Sequence, residues 1–153
     1  MTLAARVVRE LKQRGLTLAC AESCTGGLVA DAIVSVPGAS EVFRGGLVAY
    51  DTSIKISVLG VSKRALKNGA VSEECAADMA KKARKLFGAD IAISTTGYAD
   101  KSDRPDVQDG TIFVAIAFKN SVALSKYVFK KSRNANRKAA LEEALKTLLK
   151  NFS

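Results

Sequence analysis

Histidine does not occur anywhere in the 153 residues. Its absence removes every Ser-His-Asp and Cys-His mechanism and every histidine metal site, so a general base must come from Lys, Tyr, Asp or Glu. Tryptophan is missing as well, and aromatics make up only 6% of the chain, which leaves little material for stacking nucleic-acid bases. The three cysteines, Cys20, Cys24 and Cys75, are odd in number with no close-set pair. That argues against a disulfide framework and suits a reducing compartment. No apolar run approaches the ~18 residues of a membrane span, and the first residues, with Arg6, Arg9, Lys12 and Arg14, lack the apolar core of a signal peptide. A cytoplasmic location, no membrane partner and no metal are the expectation. Neither a P-loop ending in Gly-Lys-Ser/Thr nor a Gly-x-Gly-x-x-Gly fingerprint is present, which disfavours a nucleoside triphosphatase.

Apolar residues account for 48% of the sequence, ample for one packed core without covalent staples, and a single domain over 1–153 is expected. The net charge is +9. Much of it lies in Lys119, Lys126, Lys130, Lys131, Arg133, Arg137 and Lys138, a stretch without one acidic residue. Such a run can bind nucleic acid, face an anionic surface or simply be solvated. Its basic side chains alternate with apolar ones and have no aromatic interleaving, which disfavours nucleic acid. A small substrate bearing a phosphate suits the same charge.

Hydrophobic spacing lays out the elements. Leu3, Val7 and Leu11 form one stripe of a helix over 2–14 that Gly15 stops. Leu16 to Ala21 reads as a buried strand, and Leu28, Val29, Ala32 and Ile33 as a helix ended by Pro37 and Gly38. A strand over 45–50 precedes a short helix that Thr52 or Ser53 can cap, ending at Gly60. Ser72 opens a helix with the stripe Cys75, Met79, Ala83 and Phe87, followed by a strand over 91–95. Residues 97–110 form a polar loop long enough to suggest function. Two strands, 111–118 and 122–129, read as a hairpin, and a last helix runs from Asn134 to Leu149. The alternation predicts an α/β fold, a three-layer α/β/α sandwich with a mixed, mostly parallel sheet of about five strands. Ligand sites in such sheets gather beyond the carboxyl ends of the strands, so residues 22–27, 50–55 and 97–110 are expected along one rim.

The run Ala21-Glu22-Ser23-Cys24-Thr25-Gly26-Gly27 lies where a strand turns into a helix. It is followed by Gly46-Leu47-Val48-Ala49-Tyr50, Lys55, Leu59-Gly60-Val61 and Gly69-Ala70-Val71-Ser72. In that order and spacing, over nearly the whole chain, the sequence resembles the CinA carboxy-terminal domain family, which includes nicotinamide-nucleotide amidases. The resemblance implies hydrolysis of nicotinamide mononucleotide to the nicotinate form and ammonia, without a cofactor, by Ser23 as nucleophile assisted by Tyr50 and Lys55. It also implies a substrate-binding role for Arg133, with Arg137 aligning. The residues are compatible with that chemistry. A desolvated lysine can take a proton from a serine hydroxyl. Glycines at 26 and 27 let a ligand approach, and N–H groups near Thr25 to Gly27 and at the start of the helix can hold a phosphate or an oxyanion.

Each assignment has a plainer counterpart. Ser23 or Thr25 can be a helix cap, Lys55 a solvated surface lysine, Tyr50 the end of a buried strand and Arg133 a surface charge. Cys24, at a helix start, is a second candidate nucleophile or inert packing. The chain departs from the family in the loop 97–110. A glycine-rich substrate loop is there replaced by Gly97-Tyr98-Ala99-Asp100-Lys101-Ser102-Asp103-Arg104-Pro105, and Lys131-Ser132 stands before Arg133 where the family has Gly-Asp. Gly97 remains a substrate-binding candidate. An amidase for a pyridine nucleotide, a catalytically silent nucleotide-binding relative and a nucleic-acid-binding module are thus three separable readings, and homo-oligomer formation stays open.

Overall fold

Thr2 caps the first helix, α1 (Leu3–Arg14), its hydroxyl accepting from the Ala5 amide. The computed structural model describes all residues from 1 to 153. Gly15 closes α1 in a left-handed conformation, φ 64°. The Leu16 amide returns to the Leu11 carbonyl, a Schellman closure that assigns Leu16 to the helix end. This is why strand β1 (Leu18–Glu22) begins two residues later than spacing suggests. All five residues of β1 are buried, as befits a strand covered on both faces.

Helix α2 (Leu28–Val34) leads to β2 (Phe43–Val48), which stops short of Tyr50. Asp51, not Thr52 or Ser53, is the N-cap residue of α3 (Thr52–Ile54), and the Ser53 hydroxyl donates to its carboxylate at 2.7 Å. The chain then widens into a π-helical turn over Lys55–Leu59, ending at Gly60. Wide turns of this kind are uncommon and frequent at functional sites. Ser72 caps α4 (Glu73–Phe87), with Glu73 and Glu74 in the first turn and Arg84 and Lys85 in the last, each matched to the helix dipole. Strands β3 (Ile91–Gly97), β4 (Thr111–Ala117) and β5 (Val122–Val128) precede the last helix, α5 (Arg133–Asn151).

The sheet order is β2-β1-β3-β4-β5. β1 runs parallel to both β2 and β3, while β4 is antiparallel to β3 and to β5. Only β4 is therefore reversed, because residues 98–110 carry no helix to cross the sheet and the chain must turn back. Leu18, Cys20, Ile91, Ile93, Val114 and Ile116 pack on one face beneath α1, α2 and α5. Ala19, Ala21 and Ala92 pack on the other beneath Cys75, Met79 and Ala83 of α4, joined by Leu59 and Val61. The expected three layers are present. No helix is long and apolar enough to cross a membrane.

Strand direction places the site. The carboxyl ends of β1, β2, β3 and β5 share one edge of the sheet, and β1 sits where the order reverses between β2 and β3. Four segments converge there: the turn after Glu22, residues 49–55, the loop 98–110, and the start of α5 after β5. A hairpin read from sequence does not disclose the fourth.

Gly97, expected beside substrate, is required by packing whatever else it does. A Cβ added there would lie 2.6 Å from both the Ile112 Cα and the Thr111 carbonyl oxygen on the adjoining strand. Backbone cannot give way as a side-chain tip can, so Gly97→Ala is expected to destabilise the fold by about 2–3 kcal/mol. Chemical denaturation that finds a loss under about 0.5 kcal/mol would contradict this.

Candidate active site

Lys55 is the largest fully buried side chain in the protein, at 1% exposure. Its Nζ donates to Ser23 Oγ at 2.9 Å and to the Tyr50 carbonyl oxygen at 2.8 Å. No carboxylate lies within ion-pair distance of it. An ammonium would donate to both partners, while a neutral amine would give one N–H to Tyr50 and turn its lone pair toward the Ser23 hydroxyl; one N–H is left over in either form, so burial and not the partner count decides between them. Burial lowers the pKa of Lys55, opposed by Cys75, Cys24 and Asp51. Burial also pushes both of those thiols up to about 11, so they stay uncharged near neutral pH and supply little opposition. The lysine is thus poised to accept a proton.

Ser23 is 7% exposed and is fixed through its backbone, its amide donating to the Thr95 carbonyl at 3.0 Å. A buried acid that the sequence did not single out organises the turn beyond it. The Glu22 carboxylate accepts from Thr25 Oγ1 (2.6 Å), the Val29 amide (2.9 Å) and the Ala30 amide (3.0 Å). The start of α2 is thereby fully occupied, since the Leu28 and Asp31 amides bond the Thr25 and Gly27 carbonyls. The expectation of free helix amides for an anion is corrected here. The unused N–H groups are those of Cys24, Thr25 and Gly27, within the turn itself. Glu22→Ala would strand three buried donors, and a loss of about 3–5 kcal/mol is expected. A Glu22→Ala protein with the urea midpoint of the parent would refute that account.

The side chains of Thr25 and Arg137, both expected to bind substrate, are engaged within the protein. Thr25 is fully buried, its hydroxyl held by Glu22 and, at 2.7 Å, by Thr95 Oγ1. The hydroxyl thus has no donor left for a substrate, and only the Thr25 N–H remains unused. Arg137 points inward: Nε donates to the Cys24 carbonyl and Nη2 to the Thr25 carbonyl, both at 2.9 Å, and Nη1 to Asn134. Carbonyl and following N–H point opposite ways in a trans peptide. Arg137 thus turns the Thr25 amide away from α5 and braces the turn. Gly26 and Gly27 hold φ 58° and 107°, values a side chain would resist. A Cβ at Gly26 would also come within 3.1 Å of Arg137.

Tyr50 contributes its carbonyl, not its hydroxyl, to Lys55. Its ring lies beyond the strand and is 58% exposed, and its hydroxyl accepts from Arg133 Nη2 at 3.2 Å. Arg133 Nη1 donates to Asp100 Oδ1 at 3.1 Å. Cys24 is 6% exposed, and with a thiol near 11 it is packing rather than a nucleophile. Of the remaining basic run, Lys126 stands on the edge strand β5 over the Phe113 ring, where a charge guards an open edge. The largest surface hollows, of about 610 and 490 Å³, lie at Val34–Phe43 and between α4 and the β4–β5 turn. Neither touches the rim, whereas a third hollow of about 400 Å³ lies between the loop 98–110 and the start of α5, lined by Asp100, Lys101, Asp109, Gly110, Lys131 and Asn136.

These features define a class: an α/β/α domain with a serine and a buried, unpaired lysine in contact at the point where strand order reverses. Residues 1–152 match the model of the CinA C-terminal domain, and the chain belongs to that family. It is 47% identical over 146 residues to a CinA-like protein of Thermotoga maritima, covering 94% of this chain and 36% of that one. A CinA-like protein of Pseudothermotoga lettingae is 37% identical over 155 residues, covering 100% and 38%. The chain thus spans little more than a third of the length of these relatives. Among solved structures, a CinA superfamily protein from Klebsiella pneumoniae superposes with a TM-score of 0.93 at 33% identity, covering 98% of this chain and 95% of that one. A competence or damage-inducible protein from Enterobacter asburiae gives 0.94 at 30%, covering 99% and 96%.

Proposed function

We propose that this domain is a serine amidohydrolase acting on the carboxamide of a pyridine nucleotide or a close relative of one, with nicotinamide mononucleotide as the reference substrate implied by the family resemblance. The observation that carries the reading is the 2.9 Å contact between Lys55 Nζ and Ser23 Oγ, with the lysine buried and free of any carboxylate. Neutral Lys55 takes the hydroxyl proton as Ser23 Oγ attacks the carboxamide carbon. The oxyanion forms beside the unused turn amides of Cys24, Thr25 and Gly27. Protonated Lys55 then returns the proton to the departing nitrogen, and ammonia leaves as the C–N bond breaks. Water attacks the resulting ester, giving a proton to Lys55, which passes it to Ser23 Oγ as the acid is released.

The test is ammonia release from a panel of pyridine nucleotides and related carboxamides by the purified protein, with Ser23→Ala as control. Turnover that depends on Ser23 is the expected result. Saturable binding of the panel without ammonia would instead make the chain a silent binding relative and overturn the amidase reading.

A further inference from the structure

The sequence offers three anchors for a phosphate on this rim, and the fold engages all of them. Glu22 fills the start of α2. Arg137 spends its guanidinium on two backbone carbonyls and Asn134. Arg133 donates to the Tyr50 hydroxyl and is already paired with Asp100.

Asp100 is not free to withdraw. Its side chain accepts from the Lys101 amide at 2.5 Å, and its carbonyl accepts from the Gly110 amide at 2.9 Å. The neighbouring Ala99 carbonyl is held at 2.8 Å by Asn136, itself 1% exposed. Residues 98–110 carry four aspartates against one lysine and one arginine, two negative charges in excess, in a chain whose net charge is +9. This acidic loop of a basic protein reaches the rim at Asp100, which meets Arg133 beside Tyr50. A phosphomonoester brings a charge of about −1.5 to −2 to a guanidinium that is already neutralised.

Resting on the amidase reading, we infer that Asp100 sets substrate choice, by its charge beside Arg133, in favour of a neutral or cationic carboxamide without a phosphate. An N-glycosylated pyridinium carboxamide, positive at the ring nitrogen, is the ligand chemistry that the rim fits.

The measurement is the ratio of kcat/KM for nicotinamide riboside to that for nicotinamide mononucleotide, which differ only in the phosphate. The native chain is expected to favour the riboside by about tenfold or more. Asp100→Asn keeps acceptors for Arg133 and the Lys101 amide while removing the charge, and should shift the ratio toward the mononucleotide by at least about tenfold, chiefly through KM. A native preference for the mononucleotide, or a ratio that Asp100→Asn moves less than twofold, overturns the inference. Calorimetric titration of the Ser23→Ala form, with and without Asp100→Asn, against nicotinate mononucleotide and inorganic phosphate separates the two claims. If no carboxamide is hydrolysed, the amidase reading falls. Tighter anion binding in the Asp100→Asn form would then uphold the role of Asp100, and unchanged binding would end it.

Discussion

Ser23→Ala is expected to lower kcat for carboxamide hydrolysis by at least about a thousandfold while KM moves only a few-fold. The hydroxyl forms the bond that the reaction requires, and its loss is felt in the transition state, not in ground-state binding. A thousandfold corresponds to about 4 kcal/mol of barrier. The fold should tolerate the change, since Ser23 is anchored through its amide to Thr95 and its hydroxyl contacts only Lys55. Residual turnover above the water rate would come from the turn amides alone. Steady-state assays together with a melting curve decide the matter. A variant that melts normally and keeps a tenth of the activity would remove Ser23 from the chemistry.

Lys55→Met should abolish activity and stabilise the protein at the same time. Methionine matches the unbranched stem and suits an apolar pocket. Against it, the Tyr50 carbonyl and the Ser23 hydroxyl lose a partner, at a cost of about 1–3 kcal/mol. In its favour, burial lowers the pKa of Lys55, so the native fold carries the cost of giving up a proton that the unfolded chain keeps. The balance is expected to favour methionine, read as a melting point at pH 7 above that of the parent. The sign with pH follows from the lowered pKa of Lys55. Between its folded and its ordinary value the unfolded chain binds more protons, so native stability climbs as pH rises, and the advantage of methionine shrinks toward the ordinary lysine value. For the same reason kcat/KM of the native enzyme should rise with pH through the lowered Lys55 pKa and then level off. Melting curves at three pH values suffice. A Lys55→Met protein less stable than its parent at pH 7 would mean that the lysine's hydrogen bonds outweigh its burial.

The layers were legible in the sequence because apolar spacing reports directly on burial, and the motif around Ser23 with Lys55 marked two partners that the fold brings together. What escaped were directions. The resemblance names Tyr50 as assisting Ser23, but spacing cannot say whether a backbone or a side chain meets a neighbour, and here the carbonyl holds Lys55. Glu22 closes a strand of otherwise small and apolar residues, and an acid there was the available signal for a buried carboxylate. Arg137 enters the substrate-binding set only through its alignment in the family resemblance. Its targets are carbonyls more than a hundred positions earlier, which no local pattern reveals. Asp100 was recognised as a departure from the family, but its pairing with Arg133 needed coordinates.

The reach of Arg137 back to the Cys24 and Thr25 carbonyls ties the turn after β1 to the start of α5 across more than a hundred positions of sequence. The shape of the loop that carries Ser23 is therefore a property of the closed fold and not of its own segment, so loosening α5 would slacken that loop with Ser23 and Lys55 both unchanged.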